Sequence, residues 1–264
     1  MRIDGVEVLI EGDGAKAIVM IHGWPDTHRL WDAQVDALKD RYRCVRFTLP
    51  GFDRSQPKRA YTLDEVVETI RRVVEQARKG GRVTLMLHDW GCFFGYQFAM
   101  RHPELVERVI GVDIGDTGSR RYLEELGLKR KLMVVAYQVW LALAWKIGGG
   151  IGDAMARGMA RVARCPTDPR TIASSMGYAY AVRWLGTAGG FRGVKAFDPQ
   201  CPMLFIYGER KLFMFHSRAW AERLATRPGS RVLAFPTRHW VMIERPREFN
   251  DAVLSWLRDS DVPR

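Results

Sequence analysis

The sequence predicts an α/β protein with a mostly parallel β-sheet, helices on both faces of the sheet, and a helical cap inserted between two strands. Short apolar runs alternate with longer helical patterns, which is typical of a parallel sheet covered on both faces. The alternation stops between about Asp116 and Phe197, where the chain is rich in Gly, Met, Tyr and Trp and has no strand-like run. We therefore expect a core in residues 1–116 and 198–264 and a cap in residues 117–197.

The predicted strands and helices of the core follow one another in order along the chain. Strands are expected at residues 17–21, 44–49, 82–87, 108–114, 203–207 and 231–235. Helices are expected at residues 31–39, 63–78, 92–101, 216–226 and 247–258. At the second helix, Thr62 followed by Glu65 fits a capping box, and Gly80-Gly81 ends the helix.

Composition excludes some classes of partner. The chain has 264 residues, of which 47% are hydrophobic and 27% charged, an ordinary balance for a protein with a sizeable core. A net charge of +11 is compatible with a nucleic-acid or membrane-surface partner. The arginines are scattered over every segment, and no run of five basic residues occurs. We interpret the charge as a solvated surface and expect no nucleic-acid or membrane partner, and a monomer or homodimer.

Cysteine usage and apolar runs bear on location. The four cysteines, Cys44, Cys92, Cys165 and Cys201, have no metal-type spacing and no close pair, which favours a reduced cytoplasmic protein. The N-terminus lacks the apolar stretch of a signal peptide. The apolar run at residues 132–145 is too short for an ordinary membrane span, and we interpret it as a buried or groove-lining helix.

The most informative residues are His88-Asp89-Trp90-Gly91, where an apolar strand turns sharply into a helical pattern. This is the layout of a nucleophile elbow, in which a strained corner lifts one side chain above the sheet. That side chain is Asp89, and Gly91 lets the helix pack closely. A carboxylate here suits attack on a saturated carbon, which gives an ester between enzyme and substrate. An Asp that only caps the helix is the alternative.

Two other loops supply groups that such chemistry requires. His22-Gly23-Trp24-Pro25 follows the first buried strand, and the backbone N–H groups of Trp24 and Trp90 are candidates for an oxyanion hole. His239 follows the last strand, where the chain order nucleophile, acid, histidine places the base. With a carboxylate nucleophile, this base deprotonates the water that hydrolyses the ester.

Together these motifs resemble the α/β-hydrolases, and within that fold the epoxide hydrolase and haloalkane dehalogenase branch. The resemblance covers nearly the whole chain, from the His-Gly-Trp-Pro loop through residues 49–55 and the elbow to His239. Trp24 stands where epoxide hydrolases usually have an aromatic residue and dehalogenases usually have Asn or Glu. Trp90 is common to both branches and does not distinguish them.

The resemblance also implies two cap tyrosines whose hydroxyls donate to the epoxide oxygen. Tyr137, in Tyr137-Gln138, matches the first of them. The second is Tyr178 or Tyr180, and we favour Tyr180; Tyr178 and Trp140 are further candidates for contact with substrate. Packing within the cap is the alternative for each of these aromatic residues.

The third member of the triad departs from the family pattern. Most of this branch carries an Asp after the strand at residues 203–207, where this chain has Lys211. Some dehalogenases place their acid at the end of the preceding strand, where this chain has Asp113. We assign Asp113 as the acid that orients His239, with Asp116 and Glu209 as alternatives. A loop-capping role for Asp113 is the other interpretation.

The sequence thus predicts an enzyme that opens a small apolar epoxide to a vicinal diol. The expected route is a covalent ester on Asp89 that water activated by His239 hydrolyses, with no metal and no organic cofactor. A haloalkane dehalogenase that uses the same residues is the first alternative. Lys211 in the usual acid position keeps open a second, a weakly active or non-catalytic relative.

Overall fold

The structure, a computed structural model, describes residues 1–3 and 5–259 and has at its centre one eight-stranded β-sheet. The strands are β1 (Arg2–Ile3), β2 (Val6–Glu11), β3 (Ala17–Ile21), β4 (Arg43–Phe47), β5 (Val83–His88), β6 (Val106–Val112), β7 (Met203–Gly208) and β8 (Arg231–Phe235). Their order across the sheet is β1-β2-β4-β3-β5-β6-β7-β8. Pairs β1·β2 and β2·β4 are antiparallel, and all others are parallel. The predicted fold class is confirmed.

Helices cover both faces of the sheet. They are α1 (Asp32–Leu38), α2 (Leu63–Ala77), α3 (Trp90–Arg101), α4 (Arg120–Ile147), α5 (Gly149–Val162), α6 (Tyr178–Leu185), α7 (Arg218–Ala225), α8 (Val241–Glu244) and α9 (Pro246–Asp259). Side chains of α2 and α3 belong to one apolar core, and those of α1, α8 and α9 belong to a second. Strands β3 and β5, which lie between these two cores, are fully buried along their length, as the continuous apolar runs predict.

Local sequence signals explain several boundaries. The Thr62 hydroxyl accepts from the Glu65 N–H while the Glu65 carboxylate accepts from the Thr62 N–H, so the predicted capping box is confirmed. Helix α7 begins at Arg218 rather than at residue 216, because the Ser217 hydroxyl caps it by accepting from the Trp220 N–H. Strands β1 and β2 were not predicted: they form the antiparallel end of the sheet, and β2 is only partly buried.

The chain between β6 and β7 forms the helices α4, α5 and α6, with short 3₁₀ turns between them. Within it the described residues form no strand, apart from an isolated bridge between Ile114 and Phe215. The division into a core and a cap at residues 117–197 stays a prediction. Only part of the apolar run at residues 132–145 is buried: Leu141 is enclosed, whereas Leu132 is 62% exposed. The described residues include no helix long and apolar enough to cross a membrane.

Candidate active site

The turn between β5 and α3 holds Asp89 in a strained backbone conformation. Its φ of 52° and ψ of −123° lie outside the regions that a non-glycine residue ordinarily occupies. Two glycines let neighbouring chain segments approach this turn. A Cβ on Gly91 would stand 2.3 Å from the Ile21 carbonyl oxygen, and one on Gly23 would stand 2.4 Å from Asp89 Oδ1. The predicted elbow geometry is therefore present in the structure.

Gly91→Ala is expected to destabilise the protein, because the added methyl group meets rigid backbone carbonyls of β3 rather than a flexible side chain. Overpacking of this kind costs roughly 1–3 kcal/mol of unfolding free energy. Urea denaturation followed by circular dichroism measures the change. Gly150→Ala in α5 is the matched control, since nothing lies within 4 Å of its added Cβ. An equal loss of stability in both variants would contradict the close approach.

The two oxygens of the Asp89 carboxylate have different surroundings. The Trp24 N–H donates to Oδ1 over 2.7 Å, and the Trp90 N–H also hydrogen-bonds this carboxylate. The Nε2 atom of His239 lies 3.6 Å from Oδ2. The Trp24 amide thus holds Oδ1 in place, while Oδ2 faces the imidazole. Burial disfavours the ionised form, but these hydrogen bonds and the charge of His239 hold the pKa of Asp89 below its usual value.

A second buried carboxylate, Asp113, lies on the other side of His239. Its Oδ2 pairs with His239 Nδ1, and its Oδ1 accepts from Lys211 Nζ and, over 3.0 Å, from the Gly208 N–H. Burial opposes ionisation of Asp113, and the charges of Lys211 and His239 outweigh it and lower the pKa of this carboxyl. Lys211 stands where the resemblance leads us to expect an acid. Its positive charge therefore offsets the negative charge of Asp113, which follows the neighbouring strand β6.

The alternative acids lie elsewhere. Asp116 accepts from the N–H and the hydroxyl of Ser217 and from the hydroxyl of Ser119, so it fixes the start of α7. Glu209 lines a separate groove together with Tyr207 and Glu222. Of the three candidates that the sequence left open, Asp113 is the one in contact with His239.

His239 lies between two carboxylates. Burial lowers the pKa of its imidazole, but Asp113 first and Asp89 second more than offset that effect and raise this pKa to about 9. The free site at neutral pH is therefore an imidazolium between two carboxylates. Removal of the charge on Asp89 would remove part of this support and lower the pKa of His239.

The free energy of unfolding is expected to fall between pH 6.5 and 9. The pKa of His239 is about 9 in the folded protein against an ordinary value of 6.5, so over this range the folded state holds a proton that the unfolded chain has released. The stability that this proton confers is complete below pH 6.5 and is lost as the pH rises through 9. Burial lowers the pKa values of His22, His88 and His216 to about 4, 3 and 4, so their effects fall at lower pH.

Chemical denaturation of the wild type and of His239→Gln at pH 6.5 and pH 9 measures this dependence. The wild type should lose stability across the interval, and the variant should lose clearly less. Equal slopes for the two proteins would contradict the raised pKa of His239.

A cavity of about 650 Å³ gives access to this site. Asp89, His239, Trp24, Tyr137 and Tyr180 all line it. The ring of Tyr180 lies 5.1 Å from that of Trp90 and 6.3 Å from that of Tyr137, measured between centroids. Burial raises the pKa values of both tyrosines, so both hydroxyls are protonated at neutral pH and can donate a hydrogen bond.

Two predicted contacts with substrate are not supported by the geometry. Tyr178 is fully buried against Phe52 and Tyr61 and does not line the cavity, because residues two apart on α6 point about 200° apart. Trp140 is 45% exposed, and its indole N–H donates to the Met155 carbonyl on α5. Instead, Tyr178 packs in the core, and Trp140 packs between α4 and α5 at the surface.

Within the described part of the chain, no group of three or more His, Cys, Asp and Glu side chains is placed to hold a metal ion. The expectation that the protein uses no metal or organic cofactor stays a prediction.

Comparison with known families places this site in context. The family model described as alpha/beta hydrolase fold matches residues 16–246. The chain belongs to this family. The resemblance inferred from the sequence is thereby confirmed, and the elbow, the Trp24 and Trp90 amides and His239 lie at the strand ends where an α/β-hydrolase carries its site.

Several known proteins are similar to this α/β-hydrolase. It is 34% identical over 112 residues to epoxide hydrolase 1 of Caenorhabditis elegans, a match that covers 41% of this chain and 28% of that protein. It is also 34% identical over 104 residues to a cis-3-alkyl-4-alkyloxetan-2-one decarboxylase of Xanthomonas campestris, which covers 36% of this chain and 35% of that protein. The chain thus spans about a third or less of the length of these curated relatives.

A solved structure gives a likeness over the full length. The epoxide hydrolase of Bacillus megaterium in complex with an inhibitor superposes with a TM-score of 0.72 at 22% identity. The match covers 98% of this chain and 99% of that one. This likeness supports the fold of the α/β-hydrolase from end to end, including the helices between β6 and β7.

Sequence reasoning missed some residues that shape the α/β-hydrolase site. The sequence indicated Lys211 only as a departure from the acid expected at that position. Its positive charge, opposite to that of Asp113, was the available signal for an ion pair between them. The ring of His88 lies 4.4 Å from that of His239, and its Nε2 hydrogen-bonds the His239 carbonyl over 3.2 Å. The Phe215 ring packs 5.6 Å from His239. No sequence pattern indicated these ring contacts, since they join residues far apart in the chain.

Proposed function

We propose that this α/β-hydrolase is an epoxide hydrolase that converts a small apolar epoxide and water into a vicinal diol. One observation carries the proposal: the Asp89–His239 pair and the two tyrosine side chains of Tyr137 and Tyr180 line a single cavity. A carboxylate supplies the nucleophile, and two protonated phenols supply donors for the oxygen that leaves the attacked carbon. The similarity to epoxide hydrolase 1 of Caenorhabditis elegans supports this choice.

In the first step, Asp89 Oδ2 attacks a ring carbon of the epoxide and the bond between that carbon and the ring oxygen breaks. The ring oxygen receives a proton from Tyr137 or Tyr180, so that an alkyl ester and a neighbouring hydroxyl form. Oδ1 stays hydrogen-bonded to the Trp24 N–H, as in the free protein. Esterification removes the charge on Asp89, the pKa of His239 falls, and the proton that His239 releases restores the tyrosine.

In the second step, the neutral His239 removes a proton from water while that water attacks the ester carbonyl carbon. Negative charge develops on Oδ1, which the Trp24 N–H already holds, and the Trp90 N–H also hydrogen-bonds this carboxyl group, so the two amides act as the oxyanion hole. Asp113 stabilises the imidazolium that forms. The bond between the acyl carbon and the ester oxygen then breaks, and His239 gives its proton to the departing diol. The second proton of the water, left on the Asp89 carboxyl group, passes to His239 and restores the imidazolium and the carboxylate of the free site.

Intact-mass measurement of His239→Gln after incubation with styrene oxide tests the proposal. The variant keeps the nucleophile but lacks the base, so it should accumulate an adduct of one styrene oxide mass on Asp89. The matched control, Asp89→Ala/His239→Gln, should show none. Peptide mapping identifies the modified residue. The proposal would be overturned by two results together: His239→Gln forms no adduct, and the wild type does not hydrolyse the epoxide.

Haloalkane dehalogenation is the second candidate, and two observations favour it. The acid follows β6, a position that some dehalogenases use, and the indole N–H of the cavity-lining Trp24 is buried without a hydrogen-bond partner among the described residues. Such a donor suits a departing halide. Release of bromide from 1-bromobutane at enzymatic rates, with no turnover of styrene oxide, would establish this activity in place of epoxide hydrolysis.

A further inference from the structure

An apolar stripe runs along the exposed side of α4. We define it by six side chains, each between 37% and 75% exposed: Leu128, Leu132, Val135, Trp140, Leu143 and Ile147. At 100° per residue they fall within an arc of about 140°, and at 1.5 Å per residue they extend over about 28 Å. Scattered apolar residues are normal on a protein surface, but a continuous row of this length indicates a contact surface.

The charges along the stripe from Leu126 onward have one sign. From Leu126 to Gly152 the chain contains no Asp or Glu, whereas Lys129, Arg130, Lys131 and Lys146 all lie on α4. None of these four cations forms an ion pair within residues 1–3 and 5–259. The surface therefore combines exposed apolar side chains with cations that form no ion pair with the part of the chain that the structure describes.

We propose that this face of α4 binds the surface of an anionic lipid bilayer, with the helix lying in the plane of the interface. Acyl chains would cover the apolar stripe while lipid phosphates pair with the lysines and Arg130, which are the two interactions of an interfacial amphipathic helix. A second copy of this chain fits less well, because it would bring the same cations to the contact, and residues 126–152 carry no carboxylate to pair with them.

This proposal revises the expectation of no membrane partner, which relied on the scattered distribution of arginines along the sequence. The cations of α4 are few, but the fold places them beside exposed apolar side chains. The binding face also adjoins the cavity: Met133, next to Leu132, lines it, as does Val162 at the end of α5, which is 77% exposed. An apolar molecule dissolved in the bilayer would therefore enter the site from the bound surface.

Flotation of the full chain with lipid vesicles tests the proposal. We expect the wild type to float with vesicles of equal phosphatidylcholine and phosphatidylglycerol, and at least about tenfold less with phosphatidylcholine alone. Leu132→Gln/Leu143→Gln should lower binding to the mixed vesicles about tenfold at unchanged net charge. Its matched control, Val194→Gln/Ile243→Gln, also replaces two exposed apolar residues and should bind like the wild type. Circular dichroism confirms that each variant is folded.

The charge component has its own variant. Lys129→Gln/Lys131→Gln/Lys146→Gln should also lose binding, whereas Arg223→Gln/Arg247→Gln/Arg258→Gln, which removes three cations outside α4, should retain most of it. Equal losses in the two triple variants would show general attraction of a basic protein and overturn the proposal. The proposal would also be overturned if the wild type failed to float with the mixed vesicles. The same holds if no vesicles are bound and light scattering shows a wild-type dimer that Leu132→Gln/Leu143→Gln dissociates and the other variants do not.

Discussion

Asp89→Ala is expected to lower kcat/KM for styrene oxide by about 10⁴-fold or more, the scale seen when a covalent nucleophile is removed. Asp89 is the one carboxylate among the described residues that line the cavity. The Trp24 and Trp90 amides would remain, but no ionised oxygen would face the substrate carbon. Diol formation measured by chromatography gives the rate.

Another buried carboxylate, that of Asp116, serves as the control for this variant. Asp116→Asn removes an acid whose partners are Ser119 at the start of α4 and Ser217 at the start of α7, so it should lower stability while kcat/KM stays within a few-fold of the wild type. Residual turnover in Asp89→Ala close to that of the wild type would mean that another group performs the attack, and the covalent mechanism would have to be abandoned.

The residues that the sequence located well are those fixed by local chain geometry. Asp89 and Trp90 occupy a strand–turn–helix corner, and Trp24 follows a buried strand, so their positions at one edge of the sheet follow from topology alone. Asp113 was assigned by its place after a neighbouring strand, and the structure brings it into contact with His239. These predictions needed only the order of strands and the direction in which they run.

The features that the sequence left open or did not indicate depend on tertiary packing. Tyr178 and Tyr180 have the same residue type and nearly the same sequence context, and only the way α6 packs against the core decides which of them reaches the cavity. The ion pair between Lys211 and Asp113 joins residues 98 positions apart, so no local pattern indicated it. The apolar run of α4 was predicted to be a buried or groove-lining helix, and part of it is exposed. Periodicity shows that a helix has an apolar face but does not show what covers that face.

The ion pair between Lys211 and Asp113 leads to the second large effect, on the hydrolytic step. Asp113→Asn should slow breakdown of the ester by about 10⁴-fold, the effect known for removing the charge of a triad acid, because the imidazolium that forms on His239 loses its stabilising carboxylate. Attack by Asp89 does not need His239 as a base and should be slowed far less. Rapid-quench mass spectrometry should therefore find the variant mostly as the alkyl-enzyme during turnover.

Lys211→Met tests whether the ion pair with Asp113 serves stability separately from the role of Asp113 in ester hydrolysis. Asp113 would keep His239 as a partner but lose a buried cation, and breaking a buried ion pair costs about 3–5 kcal/mol of stability. The double variant Asp113→Asn/Lys211→Met leaves no unpaired charge, so it should recover much of that stability while ester hydrolysis stays slow. Stability and rate should thus respond differently to the same two substitutions. If the double variant were instead as unstable as Lys211→Met, the cost would come from lost packing of the lysine side chain rather than from the uncompensated Asp113 charge.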